Sequence, residues 1–175
     1  MYFILGLPRS RTTWLSVFLS QGNICYHEKS MEFRNLEELK LFCEQNPKCG
    51  ISDTALLIHW KWIRQNIPEA KIVVIERDIK EVKQSLQDIG LPTECIKPIK
   101  DKLEEARQDP NIVFIKFEDL NKKLYCKLIY EYCKEEPLDD LWYEVIKGIE
   151  MQPNKELLLK EMNKNIINIA SLYWK

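Results

Sequence analysis

The stretch Gly6-Leu7-Pro8-Arg9-Ser10-Arg11-Thr12-Thr13-Trp14 decides how the rest of the chain is read. It is entered from an apolar run, Tyr2 to Leu5. It is left through Trp14, Leu15, Phe18 and Leu19 at helical spacing, with Gly22 placed as a C-terminal cap. That order predicts strand, tight loop, helix, a geometry that points free backbone N–H groups at an anion. Aligned from Gly6 to the phosphate-loop pattern GxxxxGK[ST], the chain has Arg11 at the second Gly and Thr12 at the Lys, and only Thr13 matches. An ordinary ATP- or GTP-binding loop therefore fits poorly. The anion-binding chemistry is nevertheless present: Arg9 brings a fixed cation, Ser10, Thr12 and Thr13 bring hydroxyls, and the helix start brings a positive dipole end. Trp14 can offer an aromatic face to a base.

Working outward, Ile24-Cys25-Tyr26 reads as a short strand ending at His27-Glu28, and a helix is expected from about Asn35 to Glu44. Cys49 to Asp53 reads as a strand end, with Asp53 a possible helix cap, followed by a helical run from Ala55 to about Gln65. Lys71-Ile72-Val73-Val74-Ile75 is continuous, β-branched and bounded by polar residues, the pattern of a strand buried on both faces. It runs into Glu76-Arg77-Asp78, where Asp78 can cap a helix striped by Ile79, Val82, Leu86 and Ile89. A polar helix (about Glu94 to Arg107), a strand (Asn111 to Lys116) and a helix from Glu118-Asp119 to about Cys133 follow. Two more helical segments, around Leu141 to Ile149 and 154–174, close the chain. Strands alternate with helices five times, which argues for a single α/β domain over 1–175: three layers, α/β/α, around a central parallel sheet of about five strands. Ligands of such folds sit beyond the C-terminal strand ends, here Pro8 to Thr13, His27-Glu28, Ser52-Asp53, Arg77-Asp78 and Glu118-Asp119.

Composition narrows the function. The 175 residues carry a net charge of −1, so the general basic field of a nucleic-acid binder is missing. No 18-residue apolar run predicts a membrane span, and the short N-terminal apolar run breaks at Pro8-Arg9, unlike a signal peptide. The six cysteines form no CxxC pair, which points to free buried thiols and a cytoplasmic location.

A second anion-binding pair stands at the end of the best strand: Arg77, with Ser85 eight residues on, flanking the apolar stripe of the intervening helix. Taken together, Pro8-Arg9-Ser10-Arg11-Thr12-Thr13-Trp14 resembles the 5′-phosphosulfate loop P-[KR]-S-x-T-T-W of sulfotransferases that use 3′-phosphoadenosine-5′-phosphosulfate (PAPS). Arg77 and Ser85 resemble their R-x7-S 3′-phosphate site, with Ile79 where a Pro is frequent. Phe117-Glu118-Asp119-Leu120 is similar to the family's [YF]-E-D-L element and reads as a capped helix start. The likeness spans residues 2–138. The C-terminal RKGxxGxW element of many cytosolic members has no counterpart.

The resemblance implies a P-loop nucleoside triphosphate hydrolase-like fold and in-line transfer of a sulfuryl group from PAPS to a hydroxyl or amine of a small-molecule or glycan acceptor, with adenosine 3′,5′-bisphosphate (PAP) as product. It implies donor binding by Arg9, Ser10, Arg11, Thr12, Thr13, Trp14, Arg77 and Ser85, with Arg9 also stabilising the leaving phosphate. No metal is demanded, since a fixed cation sits in the loop. In the family the base is His in some branches and Glu in others, just after the second strand; here His27 and Glu28 stand side by side. Neighbours on an extended segment point opposite ways, so one of the two is expected to face the loop, from a second strand lying beside the first. Asp53 is a candidate acceptor contact, and His59, among Trp60 and Trp62, reads as packing. The segment 154–174, with Leu158, Met162, Ile166, Ile169 and Tyr173 on one face, reads as a helix packing on its own sheet or forming a homodimer. The competing readings are a P-loop-type small-molecule kinase and a non-catalytic nucleotide-binding protein of the same fold.

Overall fold

The computed structural model describes residues 1–94, 96–149 and 151. The expected C-terminal helix, its role in a homodimer, and Cys95 lie outside the described residues. Five strands form one sheet: β1 (Tyr2–Gly6), β2 (Cys25–His27), β3 (Gly50–Asp53), β4 (Lys71–Glu76) and β5 (Ile112–Lys116). All pairings are parallel and the order is β2-β3-β1-β4-β5. The expectation that β2 neighbours β1 is corrected: β3 lies between them, with Phe3 opposite Ile51 and Tyr26 opposite Ile51 on the other side. The chain steps outward over one place and comes back before crossing to β4. The mouth of β1 is therefore the point where strand order reverses, the usual crevice of an open α/β sheet.

Alternation along the strands divides the core in two. Phe3, Leu5, Ile72 and Val74 pack on one face against helices α2 (Leu36–Gln45), α3 (Trp60–Asn66), α4 (Ile79–Asp88) and α5 (Ile96–Ala106). Tyr2, Ile4, Val73 and Ile75 pack on the other against α1 (Thr12–Phe18), α6 (Lys123–Lys134) and α7 (Asp140–Lys147). Both faces are thus covered, which is why β1 and the middle of β4 read as unbroken apolar runs. Trp14, Leu15, Phe18 and Leu19 are buried as their spacing requires. Gly22 has φ +78 but lies beyond the α1 C-cap at Leu19, in the turn toward β2, and does not itself cap the helix.

Caps fix where the helices begin. Asn35 accepts from the Glu38 N–H at 3.0 Å, and Asp78 accepts from Lys80 and Glu81, as its position in the sequence suggested. Two close approaches demand glycine. A Cβ on Gly6 would lie 2.8 Å from the Ile75 carbonyl oxygen, and one on Gly50 would meet the Tyr2 ring. The five described cysteines are free thiols, Cys49 being the one not buried. Among the described residues no helix is long and apolar enough to cross a membrane.

Candidate functional site

The loop leaving β1 is shaped by backbone that its residue types do not favour. Arg9 (φ 65) and Arg11 (φ 60) both adopt the left-handed region, at about 1–3 kcal/mol each for a non-glycine residue. Leu7, buried in the core, anchors the loop's near end. The Arg77 Nη1 group donates to the Arg9 carbonyl and holds the middle. The Ser52 hydroxyl donates to the Thr12 carbonyl at 2.8 Å and holds the far end. Between these ties Ser10 is fully buried, and its Oγ has no hydrogen-bond partner among the described residues. An unsatisfied buried hydroxyl is uncommon in a settled fold.

On the β4 side of the loop Ser85 bonds to Arg9, whereas Arg77, the partner that the R-x7-S resemblance implied for it, bonds to Glu81 and the Arg9 carbonyl. Arg9 Nε donates to Ser85 Oγ at 3.0 Å, bringing together the loop and α4 across 76 residues of sequence. Arg77 leaves the end of β4 with its guanidinium 4.1 Å from the centre of the Phe117 ring and its Nε 3.3 Å from Glu81. Arg11 approaches the same ring at 5.3 Å. Burial lowers the Arg9 pKa from its ordinary value, and the like charge of Arg77 lowers it further. Among the described residues no carboxylate pairs with Arg9. Two guanidiniums thus stand at this strand end, Arg77 paired with Glu81 and Arg9 with no carboxylate among the described residues.

On the β2 side the loop meets His27. Thr13 Oγ1 and His27 Nε2 share a hydrogen bond of 3.0 Å. Burial holds the His27 pKa below the usual imidazole range, partly offset by Asp53, so the ring is neutral at pH 7 and able to take a proton. Glu28 does not point away from it. Its backbone is left-handed (φ 48, ψ 40), so the extended-segment argument fails at this residue, and the carboxyl returns to 3.7 Å from His27 Nε2. There Glu28 Oε1 accepts from the Thr54 N–H at 3.2 Å and from Thr54 Oγ1 at 3.0 Å. Burial first, then Asp53, push the Glu28 pKa up to about 8.

Other expected site residues have structural places. Asp53 is fully buried, with Oδ2 accepting from the Ser30 N–H at 2.9 Å and Oδ1 from the Leu56 N–H at 3.1 Å. The bond from Leu56 ties Asp53 to the turn Ala55–His59, whose N-cap position is Thr54 and not Asp53. Trp14 does not offer a face to a base: its ring stacks on Phe18 at 5.0 Å and its indole N–H donates to the Ile146 carbonyl at 3.1 Å. His59 is half-buried, and burial lowers its pKa against a raising influence from Asp53.

Two contributors escaped the sequence reading. Phe117 opens the Phe117-Glu118-Asp119-Leu120 stretch that reads as a capped helix start, yet its ring underlies both Arg77 and Arg11. Its position directly after β5, at the same sheet edge as Arg9 and Arg77, was the available signal. Thr54 gave none, because its role depends on where Glu28 turns. Comparison with family models, with curated proteins and with solved structures returned no match to this chain.

Proposed function

We propose that this chain is a short PAPS-dependent sulfotransferase of P-loop-like fold. The observation that carries the reading is the convergence of Arg9, Arg77 and Ser85 at the mouth of β1 and β4, with Arg9 unpaired by any described carboxylate. Two guanidiniums at one strand end, tied by the Arg77 bond to the Arg9 carbonyl, suit a ligand with two separate anionic groups. The orphan Ser10 hydroxyl lies on the loop and the Thr13 hydroxyl in the first turn of α1 that follows it. Arg77 and Ser85 would hold the 3′-phosphate, and Arg9, Ser10, Thr12 and Thr13 the phosphosulfate. The absence of Gly and Lys at the positions an ATP loop needs weighs against a kinase.

His27 takes the proton from the acceptor hydroxyl or amine. The acceptor oxygen or nitrogen bonds to sulfur as the bond from sulfur to the bridging phosphate oxygen breaks. The leaving electron pair settles on the 5′-phosphate, where Arg9 stabilises the new charge in place before the step begins. Positioning by the loop ties contributes the rest, as in phosphoryl transfer.

The test is calorimetry with PAP, AMP and ATP, with and without Mg2+. PAP is expected to bind most tightly, without Mg2+. Tighter binding of ATP with Mg2+ overturns the reading in favour of a kinase.

A further inference from the structure

We propose that residues 154–174 dock back along α7 as the second arm of a helical hairpin, covering an apolar stripe that the described residues leave bare. The docking stands apart from the proposed function.

The stripe belongs to the outer side of α7. That helix buries Tyr143 and Ile146. Leu141, Val145 and Ile149 recur every four residues along its other side, and all three are exposed, Leu141 by 72%. The neighbouring charges are engaged elsewhere: Asp140 pairs with Lys123 of α6, and Glu144 with Lys147 on α7 itself. Nor can α7 roll its stripe inward. The Trp14 indole N–H donates to the Ile146 carbonyl at 3.1 Å, and the Trp142 indole N–H donates to the Phe18 carbonyl at 2.8 Å. These two bonds fasten α7 to α1, the helix that leaves the loop at Thr12, so whatever covers α7 also braces α1.

The occupant is written in the sequence that follows. Leu158, Met162 and Ile166 have the same four-residue period as the stripe, and Ile169 and Tyr173 extend their face. Gly148 is the C-cap of α7, and Pro153, which cannot sit inside a continuing helix, marks the place for the reversal. An antiparallel return then sets Leu158 against Ile149, Met162 against Val145 and Ile166 against Leu141, two rows of one period meeting step by step. Reach is sufficient. A helix over 154–174 is about 30 Å long, and the stripe from Leu141 to Ile149 is about 12 Å. The sheet has no room for this segment, because both of its faces are covered by α1 to α7. On α6 the exposed pair Leu124 and Leu128 has the same spacing but one step fewer.

The test is a double-mutant cycle in the full chain. Leu141→Gln and Ile166→Gln do not lower helix propensity, so they read burial. Each is expected to lower the folding constant in urea unfolding by about tenfold or more, the loss of one buried aliphatic side chain. The double variant is expected to lose little more than either single one. Leu41→Gln, on α2 across the sheet and 53% exposed, is the comparison and is expected to stay within about twofold of wild type. A Leu141→Gln loss no larger than that of Leu41→Gln overturns the docking, as do losses that simply multiply in the double variant. Coupling of Ile166 to Leu128 in place of Leu141 puts the segment on α6 and also overturns it. Amide exchange gives a second reading that needs no unfolding: Ile166→Gln is expected to speed exchange in 140–149 and not in α2, and unchanged exchange there refutes the contact. Light scattering is expected to return the mass of one chain, 20.9 kDa. Twice that mass, falling to one chain in Leu141→Gln, shows a second copy on the stripe and overturns the hairpin.

Discussion

Replacing Arg77 with Ala removes three contacts of one guanidinium: the Arg9 carbonyl, Glu81 and the Phe117 ring. Glu81 is more than half exposed, so that pair contributes at most about 1 kcal/mol. The stack on Phe117 adds about 0.5–1 kcal/mol. Neither touches a ligand. A charge-assisted hydrogen bond to a 3′-phosphate is worth about 1.5–3 kcal/mol, which is roughly ten- to 150-fold in Kd. The tie to the Arg9 carbonyl complicates this, because losing it loosens the loop for any nucleotide. That loss is about 0.5–1.5 kcal/mol for an ordinary hydrogen bond, so AMP is expected to weaken by about tenfold at most. PAP loses both. The preference for PAP over AMP, measured by calorimetry on wild type and Arg77→Ala, should therefore fall by about ten- to 150-fold. Arg77→Lys, with its charge but no fork, should fall between. Urea unfolding of each variant confirms that the fold is kept. Equal weakening of PAP and AMP would show that Arg77 serves the loop and not a 3′-phosphate, and the two-anion argument would fail.

His27→Ala is expected to lower turnover by about 10²–10⁴-fold while leaving PAP affinity unchanged, measured once an acceptor has been identified. Because burial lowers the His27 pKa, wild-type turnover should rise with pH through a limb below the usual imidazole value and be fully developed by neutrality; a limb near pH 8 would point to Glu28 instead. Gly6→Ala places a Cβ against the Ile75 carbonyl oxygen at 2.8 Å and should cost about 1–3 kcal/mol in urea unfolding by forcing β1 and β4 apart. Unchanged stability there would mean that the loop can leave the sheet by another route.

The class of the fold was written locally. A strand buried on both faces must be apolar through its middle, so Lys71 to Ile75 announced itself, and the cap at Asp78 marked a helix start by residue type alone. The chemistry of the loop was equally legible, because fixed charge and hydroxyls are properties of the residues themselves. Lateral strand order was not. Side-chain periodicity says which faces are buried and nothing about which strand lies alongside, so β3 between β2 and β1 followed only from packing. The same holds for the direction of single side chains. Trp14 fits a base platform by its place in the loop, but α7 supplies a carbonyl 132 residues away that draws the indole inward. Arg9 meets Ser85 because α4 returns along the mouth of β1. Left-handed backbone at Arg9, Arg11 and Glu28 runs against the preference of each residue type. It persists because distant groups over-determine it: the Arg77 guanidinium on the Arg9 carbonyl, the Ser52 hydroxyl on Thr12, and Thr54 with Ser52 around Glu28. Local sequence determines what each residue can do; long-range bonds decide which way it faces while doing it.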